Sequence, residues 1–374
     1  MNRYQVIGLM SGTSLDGIDI AFCHFTKDSG GWTYRVQCAE TIPYSAPWKD
    51  TLANLETGSA LEYVTADVEY GHLLGRLTHE FIARNNLKPD FIASHGHTIF
   101  HQPDKKITSQ IGRGSAIAAE TGLPVICDFR SLDVALGGQG APLVPIGDEL
   151  LFKEYDFCLN IGGFANISCN MDGRRIAFDV CPANIVMNQL ASHAGFPYDP
   201  DGQLAASGVV NPRLLDSLNA LPYYSMPYPK SLGKEWVLEH VSPLIADSRL
   251  QVNDLLATFC EHIAIQVATA SVVSPGKKML ITGGGAFNNF LISRIQQHSR
   301  SEIVLPDENT INFKEALIFA FLGVLRRLGE INCLQSVTGA TRNSSGGALV
   351  EFVEHKVAET FESKKDELAT KNDK

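Results

Sequence analysis

A short segment near the amino terminus combines small residues with two carboxylates, a composition typical of phosphate-binding loops. It reads Gly12-Thr13-Ser14-Leu15-Asp16-Gly17-Ile18-Asp19 and lies between two apolar stretches. Glycines let backbone N–H groups approach phosphate oxygens because no Cβ stands in the way. Asp16 and Asp19 supply carboxylate oxygens, which Mg²⁺ prefers. A tight turn that only reverses the chain has the same composition, so by itself the segment fits both interpretations equally.

Two further glycine turns follow apolar, strand-like stretches. They are Gly162-Gly163-Phe164-Ala165-Asn166 and Gly283-Gly284-Gly285-Ala286, the second of which precedes a helix that starts at Asn288. A helix amino terminus carries a partial positive charge and favours phosphate. No GxxxxGK[ST] loop and no GxGxxG fingerprint occur in the chain, so these turns belong to neither of those nucleotide-binding classes.

Asp179 is a candidate general base. It follows the apolar stretch Ile176-Ala177-Phe178 and precedes Val180-Cys181-Pro182-Ala183-Asn184. A carboxylate at a strand end facing a cleft accepts a proton from an attacking water or hydroxyl, which contributes about 10² to 10⁴ in rate. Capping a helix that begins near Pro182 is the more common role for an aspartate in such a place, and the local pattern favours it.

Three histidines and an Arg–Asp pair offer other chemistry. His95, His97 and His101 resemble metal-ligand spacing, but no carboxylate or cysteine completes the set, and Gly96 indicates a turn. Arg130 and Asp133 suit the carboxylate and hydroxyl groups of a ligand. An ordinary surface ion pair explains that pair equally simply.

Composition narrows the class of protein. The 374 residues exceed what one hydrophobic core usually holds, so two lobes are expected. The net charge of −10 with scattered basic residues argues against a nucleic-acid partner. The eight cysteines form no CxxC pair and are expected to be buried free thiols. Without a recognisable signal peptide or membrane span, the chain is expected to be cytoplasmic and to have no membrane partner.

Strand-like and helix-like stretches mix along the chain, which predicts an α/β architecture. The expected helices are 59–85, 115–121, 253–273, 288–297 and 313–328. The expected strands are 6–10, 18–23, 34–38, 90–94, 125–130, 157–161, 167–169 and 278–282, and the charged tail from Glu351 is expected to be loosely docked. The glycine-rich segment at 137–142 suits neither element, so the lobe boundary is placed there.

Together these motifs resemble the anhydro-N-acetylmuramic acid kinase family. The segments that carry the resemblance occur in family order from about residue 5 to about residue 350: 8–19, 94–98 (Ser-His-Gly-His-Thr), 128–133 (Asp-Phe-Arg-Ser-Leu-Asp), 137–143 (Gly-Gly-Gln-Gly-Ala-Pro-Leu), 160–166 and 283–288.

The resemblance implies a two-lobed, actin/hexokinase/Hsp70-like (ribonuclease H-like) fold with ATP and Mg²⁺ in the cleft between the lobes. It places residues 1–140 and about 330–374 in one lobe and 141–330 in the other, and it implies a homodimer. The implied ATP-binding residues are Gly12, Thr13, Ser14, Leu15, Asp16, Gly17, Ile18, Asp19, Gly162, Gly163, Asn166, Gly283, Gly284, Gly285 and Asn288. The implied sugar-binding residues are His95, Thr98, Arg130, Asp133 and Asn184. No metal ligands are implied beyond Asp16 or Asp19, which would orient the Mg²⁺ of ATP.

The implied reaction adds water to 1,6-anhydro-N-acetylmuramic acid, opens its anhydro bridge and phosphorylates the freed O6. Asp179 matches the family's catalytic base, which reverses the preference for a helix cap. The family usually continues Thr-Gly-Pro-Gly-Asn where this chain has Val180 to Asn184, and it often carries Gln where this chain has His97. Two alternatives stay open: an actin-like or chaperone-like ATPase of the same fold without a sugar substrate, and a metal hydrolase that uses the three histidines.

Overall fold

A computed structural model describes residues 2–12, 15–271 and 276–352. Two of the implied phosphate ligands, Thr13 and Ser14, lie outside the described residues. So do the end of the helix expected at 253–273 and the tail that the lobe assignment extends to residue 374.

The described strands form two sheets. The strands are β1 (Asn2–Ser11), β2 (Gly17–Asp28), β3 (Gly31–Pro43), β4 (Phe91–Gln102), β5 (Ile107–Ile111), β6 (Val125–Cys127), β7 (Phe157–Ile161), β8 (Phe164–Met171), β9 (Arg174–Pro182), β10 (Lys278–Thr282), β11 (Glu302–Val304) and β12 (Ala348–Val350). The first sheet has the order β12-β6-β4-β1-β2-β3, with β5 paired to β4, and the second has the order β11-β10-β7-β8-β9.

The two sheets share a pattern in which an antiparallel hairpin meets a parallel strand. In the first, β1 pairs antiparallel with β2 and parallel with β4. In the second, β7 pairs antiparallel with β8 and parallel with β10. Val6–Leu9 in the middle of β1 is apolar and buried, and β7 is apolar apart from Asn160, as expected for strands covered on both faces. Each sheet therefore brings a hairpin turn and the carboxyl ends of its parallel strands to one edge.

Helices connect and cover the sheets. They are α1 (Ala46–Asn54), α2 (Ala60–Arg84), α3 (Gly114–Thr121), α4 (Ser131–Ala135), α5 (Pro145–Leu151), α6 (Asn184–His193), α7 (Gln203–Ser207), α8 (Pro212–Asn219), α9 (Lys234–Trp236), α10 (Ser242–Ser248), α11 (Val252–Ala270), α12 (Asn289–His298), α13 (Glu308–Leu328) and α14 (Gln335–Thr338). Short 3-10 turns lie at Leu55–Thr57, Pro103–Lys105, Pro200–Gly202, Pro222–Ser225 and Gly284–Phe287, and a π-helical turn lies at Val237–Val241.

Helix α13 joins the two halves of the core. It packs against β1, β2 and β4 of the first sheet and also touches β10 of the second. Apolar residues run along most of its length and are buried, while Lys314 and Glu315 interrupt them near its start. These two charged residues therefore enter the interior where the two sheets meet.

Several boundaries differ from the expectations. Strand β4 does not end at a turn after Ser94 but continues to Gln102, with irregular pairing near Gly96. Strand β6 ends at Cys127 because Asp128 takes a positive φ of 57°, so the strand expected to reach residue 130 is shorter. Helix α11 begins at Val252, one residue before the expected start.

The cysteines and the helices bear on two further expectations. All eight cysteines are free thiols, and six of them are buried. Within the described part of the chain, no helix combines the length and apolar character needed to cross a bilayer.

Candidate active site

A cleft of about 990 Å³ opens between the two sheets. Its lining comes from both: Arg130 from the segment after β6, Asn160 and Asn166 from β7 and β8, and Glu315 from α13. Ligand sites in open α/β sheets lie beyond the carboxyl ends of the parallel strands, which is where this cleft lies. Its size suits ligands of nucleotide and sugar dimensions.

Asp179 lies on the wall formed by β9 and is held there by one segment. Its Oδ2 accepts a hydrogen bond from the Leu232 N–H at 2.8 Å. Its backbone carbonyl accepts the Tyr223 hydroxyl at 2.6 Å, and its N–H donates to the Lys230 carbonyl at 3.2 Å. Among the described residues, Oδ1 has no hydrogen-bond partner. One carboxylate oxygen is therefore fixed and the other is available to a ligand.

The structure removes the helix-cap role for Asp179. The residue lies inside β9, and α6 begins five residues later with Ala183 at its cap position. Burial raises the pKa of Asp179, and the hydrogen bond from the Leu232 N–H opposes that shift. A raised pKa brings a carboxylate closer to the range in which a general base works well.

Three polar side chains face one another across adjacent strands. Asn166 of β8 is the register partner of both Asn160 of β7 and Asp179 of β9, and all three line the cleft. Residues directly opposite in neighbouring strands share a face of the sheet. Asn166 is therefore placed beside the candidate base by the register of the second sheet.

On the opposite wall, His95 and Arg130 form a fixed pair. Arg130 donates from Nε and Nη2 to His95 Nε2, at 3.0 and 2.7 Å, and from Nη1 to the Gly140 carbonyl at 2.6 Å. The other ring nitrogen of His95 donates to the Gly96 carbonyl at 2.8 Å. Burial and the Arg130 guanidinium hold the pKa of His95 well below its usual value, so the ring is neutral. Burial also lowers the pKa of Arg130 to about 10, which leaves it charged at neutral pH.

Asp133 lies in the interior rather than on the cleft wall, with 1% of its surface exposed. It accepts hydrogen bonds from the Gly140 N–H at 2.8 Å, the Thr338 hydroxyl at 2.8 Å and the Cys333 thiol at 3.0 Å. It does not pair with Arg130, so the surface ion pair is absent. Asp133 instead fixes the Gly140 backbone, whose carbonyl receives Arg130.

The first hairpin needs glycine at one position for reasons of packing. A Cβ at Gly17 would lie 2.5 Å from the Ile42 carbonyl oxygen. Leu15 adopts a positive φ of 59° and donates its N–H to the Gly12 carbonyl at 3.4 Å. The Ile18 side chain is 1% exposed and belongs to the apolar core. Any contact of Ile18 with a ligand would therefore have to come from its backbone.

The carboxylates of this hairpin differ in setting. Asp16 is exposed, whereas Asp19 is half-buried and accepts the Thr41 hydroxyl at 2.6 Å. Burial raises the pKa of Asp19, and the Thr41 hydrogen bond opposes the shift. Asp19 is therefore the more rigid of the two candidate magnesium-orienting groups.

The turn after β7 has room for a Cβ at both of its glycines. A Cβ at Gly162 would come no closer than 3.5 Å to the Asn160 side chain, and one at Gly163 no closer than 3.9 Å to Ile185. Neither glycine has a positive φ. Packing within the described protein therefore does not require glycine here, and the space beside the turn fits the approach of a ligand.

The turn after β10 is built differently. Gly283 has a φ of 81°, and a Cβ at Gly285 would lie 2.2 Å from Ile161 Cγ2, so the local structure requires glycine at both positions. At Gly284 a Cβ would meet only Asn184 Nδ2, at 3.7 Å. Asn184 donates to the Ile161 carbonyl at 3.2 Å. It therefore lies between the two glycine turns.

Two more residues from the sequence analysis have local partners. Thr98 lies in β4 and accepts a 3.3 Å hydrogen bond from Gln110 in β5. Asn288 is 8% exposed and caps α12 by accepting the Leu291 N–H at 2.9 Å. The capping hydrogen bond uses the side-chain oxygen of Asn288, Oδ1.

The cleft also contains acidic and basic groups that the sequence analysis missed. Lys314 pairs with the buried Asp148 at 2.7 Å, and the neighbouring Glu315 lines the cleft. Burial raises the pKa of Glu315, with Arg130 opposing the shift and Asp19 adding to it. A Lys–Glu pair inside the otherwise apolar stretch of α13 was the available signal.

The three histidines of the metal hypothesis have separate partners. His95 accepts hydrogen bonds from Arg130. The His97 ring is hydrogen-bonded to the Ser11 hydroxyl at 2.8 Å, and the His101 ring to the Thr108 hydroxyl at 3.1 Å. Within residues 2–12, 15–271 and 276–352, no cluster of three His, Cys, Asp or Glu side chains is arranged to hold a metal ion.

Comparison with known proteins decides the family. The family model described as anhydro-N-acetylmuramic acid kinase matches residues 4–351. The chain belongs to this family. Three curated relatives carry the same name. The one from Aliivibrio fischeri is 36% identical, and the alignment covers 93% of this chain and 99% of the relative. The relatives from Sulfurovum sp. and Shewanella putrefaciens are 33% and 34% identical, with 93% and 92% of this chain and 99% and 98% of the relative covered.

Solved structures similar to this member of the kinase family are more distant. The activator of 2-hydroxyisocaproyl-CoA dehydratase from Clostridium difficile, with bound ADPNP, has a TM-score of 0.42 at 12% identity and covers 84% of this chain and 92% of its own. A ROK family glucokinase from Streptomyces griseus, in complex with glucose and AMPPNP, has a TM-score of 0.39 at 12% identity, covering 85% and 98%.

Proposed function

We propose that this chain converts 1,6-anhydro-N-acetylmuramic acid, water and ATP into N-acetylmuramic acid 6-phosphate and ADP, a step that recycles peptidoglycan sugars. Membership of the kinase family supports the reaction. The main support for the residue roles is the position of Asp179, which lines the cleft. One of its carboxylate oxygens is fixed by the Leu232 N–H, and the other has no hydrogen-bond partner among the described residues.

In the proposed mechanism, Asp179 takes a proton from the water that attacks the anomeric carbon. The new C1–O bond forms as the C1–O6 bond breaks, and O6 forms a bond to the γ-phosphorus while the bond to the ADP oxygen breaks. Asp179 later returns its proton to solvent. Glycosidases usually need a second carboxyl group to protonate the leaving oxygen, but here the γ-phosphorus takes up the electron pair of O6. One carboxylate therefore suffices.

The ATP phosphates are proposed to lie against the turn at Gly12 to Asp19 and the turns at Gly162 and Gly284. Room for a Cβ at Gly162, Gly163 and Gly284 supports this, since packing within the described residues does not require glycine at these positions. Phosphoryl transfer depends mainly on positioning and on stabilisation of charge, which backbone N–H groups supply. Gly283, Gly285 and Asn288 would shape this region through the contacts that they make within the protein.

Mg²⁺ fits the carboxylates of the first hairpin, which lie near the cleft-lining Glu315. Asp16 and Asp19 carry carboxylates on the first hairpin, and Glu315 is close enough to Asp19 for their charges to interact. We propose that Asp16 or Asp19 orients the ion. When bound, Mg²⁺ neutralises charge on the β- and γ-phosphates.

The sugar is proposed to lie between the two walls. Arg130, oriented by His95, would bind its polar groups, and Thr98 and Asn184 would contribute at the edges. Asp133 would act through Gly140 rather than by contact. Phe178, Tyr223 and Trp236 line the other side of the cleft and offer apolar surface to the ring.

We propose that one lobe consists of residues 1–140 with the chain after about residue 330, and that the other consists of residues 141–330. We also propose a homodimer, and a cytoplasmic location because ATP is the donor.

The reaction is tested by incubating the purified chain with MgATP, with and without 1,6-anhydro-N-acetylmuramic acid, and measuring ADP release. Sugar-dependent release, equal to the sugar consumed, is the expected result. Release of ADP at the same rate without the sugar would instead favour an ATPase of actin-like or chaperone-like type.

A further inference from the structure

Three long basic side chains line the cleft, and they differ in how they are neutralised. Lys314 is paired with Asp148, and Arg130 directs its donors to His95 and to the Gly140 carbonyl. Within the described part of the chain, Lys230 forms no ion pair with any carboxylate. Lys230 is therefore the cleft cation with the most unused capacity for an anionic ligand.

The Lys230 ammonium is nevertheless held in place. It donates to the Tyr223 carbonyl at 3.1 Å, and it lies 4.6 Å from the centre of the Tyr223 ring and 5.8 Å from that of Phe178. Cation–π attraction to these rings restricts the side chain. An ammonium has three N–H donors, so one hydrogen bond leaves two. Those two donors are available in the cleft, which Lys230 lines.

Partial burial makes an unpaired charge unfavourable. Desolvation lowers the pKa of Lys230 because burial disfavours the charged form. A ligand carboxylate would stabilise the ammonium by compensating for the hydration that it loses on burial. The contacts of Lys230 within the described residues therefore leave room for an anionic partner.

Lys230 also belongs to the segment that holds the candidate base. Its carbonyl accepts the Asp179 N–H at 3.2 Å, and Leu232, two residues later, donates to Asp179 Oδ2. A group bound to Lys230 is therefore positioned relative to Asp179 through a short stretch of backbone. Such a contact would fix the ligand with respect to the base and not merely retain it in the cleft.

We propose that Lys230 binds the carboxylate of the sugar substrate and thereby selects for the acid. The inference rests on the proposed function, whose substrate carries one ionised carboxylate, on its lactyl ether. It has a consequence for specificity: a peptide joined to the sugar through that carboxyl group converts it into a neutral amide. The enzyme therefore favours the free sugar acid over amide-linked, peptide-bearing forms.

The test compares binding of the free acid and its primary carboxamide by titration calorimetry. Both are 1,6-anhydro-N-acetylmuramic acid derivatives of nearly the same shape. The wild-type chain is expected to bind the acid about 10- to 100-fold more tightly, as for a charge-assisted hydrogen bond. Lys230→Met is expected to lose most of that preference by weakening acid binding alone, and Lys230→Arg to retain part of it.

Lys234→Met is the matched control, because Lys234 lies in the same segment, carries the same charge and is exposed. It is expected to keep the full preference for the acid. The proposal is overturned if wild-type chain binds both ligands equally, if Lys230→Met weakens both equally, or if Arg130→Met abolishes the preference while Lys230→Met does not. An increase in the KM for ATP alone in Lys230→Met would assign the ammonium to phosphate and overturn it too.

Failure of the proposed function gives a different pattern. The wild-type chain would then neither bind nor phosphorylate the acid or the amide. If Lys230→Met does not fold, as judged by its melting curve, the wild-type comparison and Lys230→Arg still decide the question.

Discussion

The two walls of the cleft use their polar groups in opposite ways. On the first, Arg130 is bonded to His95 and Gly140, and Asp133 is buried behind them. On the second, Asp179 and Lys230 are each held by backbone contacts but keep hydrogen-bonding capacity that the described residues do not use. One wall is therefore a preformed framework, whereas the other presents groups whose hydrogen bonds are incomplete until a ligand binds.

The origin of the contacts differs as well. Apart from its place in β9, Asp179 makes its hydrogen bonds with the segment from Tyr223 to Leu232. Arg130 depends on the Gly140 loop, which Asp133 ties to Thr338 near the end of the described chain. The base is thus positioned by its own wall, so its geometry does not require the first wall to be in place.

The largest loss of activity is expected for Asp179→Asn. The amide cannot take a proton from water, so turnover is expected to fall by about 10²-fold or more. The affinity for ATP is expected to stay unchanged. Steady-state kinetics and nucleotide titration measure the two effects, with Asp216→Asn on the exposed face of α8 as control. Turnover within a few-fold of the parent would remove Asp179 from the role of base.

On the framework wall, Asp133→Asn is expected to reduce stability more than it affects chemistry. The amide has one acceptor oxygen instead of two, so its NH2 group would face either the Gly140 N–H or the Thr338 and Cys333 donors, and one hydrogen bond would be lost. The expected loss is about 2 to 4 kcal/mol in the free energy of unfolding. Denaturant melts measure it, and the exposed Asp216→Asn is expected to stay within about 0.5 kcal/mol. A native melting curve with a large loss of turnover would contradict a mainly structural role for Asp133.

The two glycine turns of the second sheet allow a matched pair. Gly163→Ala has room for its methyl group, so the melting temperature is expected to stay the same while the KM for ATP rises about 10-fold, by obstructing phosphate. Gly285→Ala would place a methyl group 2.2 Å from Ile161 Cγ2, so stability is expected to fall. If Gly163→Ala leaves the KM for ATP unchanged, the turn does not approach the phosphates.

The smallest expected effect concerns the hydrogen bond that fixes the base. Leu232→Pro removes the N–H that stabilises the Asp179 carboxylate, so the pKa of Asp179 rises further. The base works when deprotonated, and the acidic limb of the kcat/KM profile should therefore move to higher pH. Leu232→Ala keeps the N–H and is expected to leave the limb in place. Equal movement in both variants would show that the side chain, not the N–H, matters.

The sequence predicted well what depends on local pattern. Apolar strands followed by glycine turns predicted the hairpins at Gly17 and Gly162, and the family resemblance is confirmed by the match over residues 4–351. The two-sheet α/β arrangement follows from the same alternation of elements. Helix α2 was located to within one residue at each end because its apolar spacing is a local signal.

What the sequence did not reveal depends on partners that are distant along the chain. The contacts of Asp179 come from residues 44 to 53 positions away, so spacing pointed to a helix cap instead. Ile18 and Asp133 occur in motif segments and were therefore expected to contact a ligand, yet their side chains are buried. A motif does not tell which face of an element each side chain occupies. Lys230 and Glu315 were missed since one lies in a loop and the other in an apolar helix.

We propose that the cleft couples opening of the anhydro ring, with Asp179 as base, to phosphoryl transfer onto the sugar. Phosphorus NMR of the wild-type chain and Asp179→Asn, each with MgATP and 1,6-anhydro-N-acetylmuramic acid, follows the transferred group directly. We predict that the wild-type chain forms ADP and a sugar phosphomonoester in equal amounts, and that Asp179→Asn forms almost none. Inorganic phosphate in place of the phosphomonoester, or equal phosphomonoester formation by both proteins, would contradict the claim.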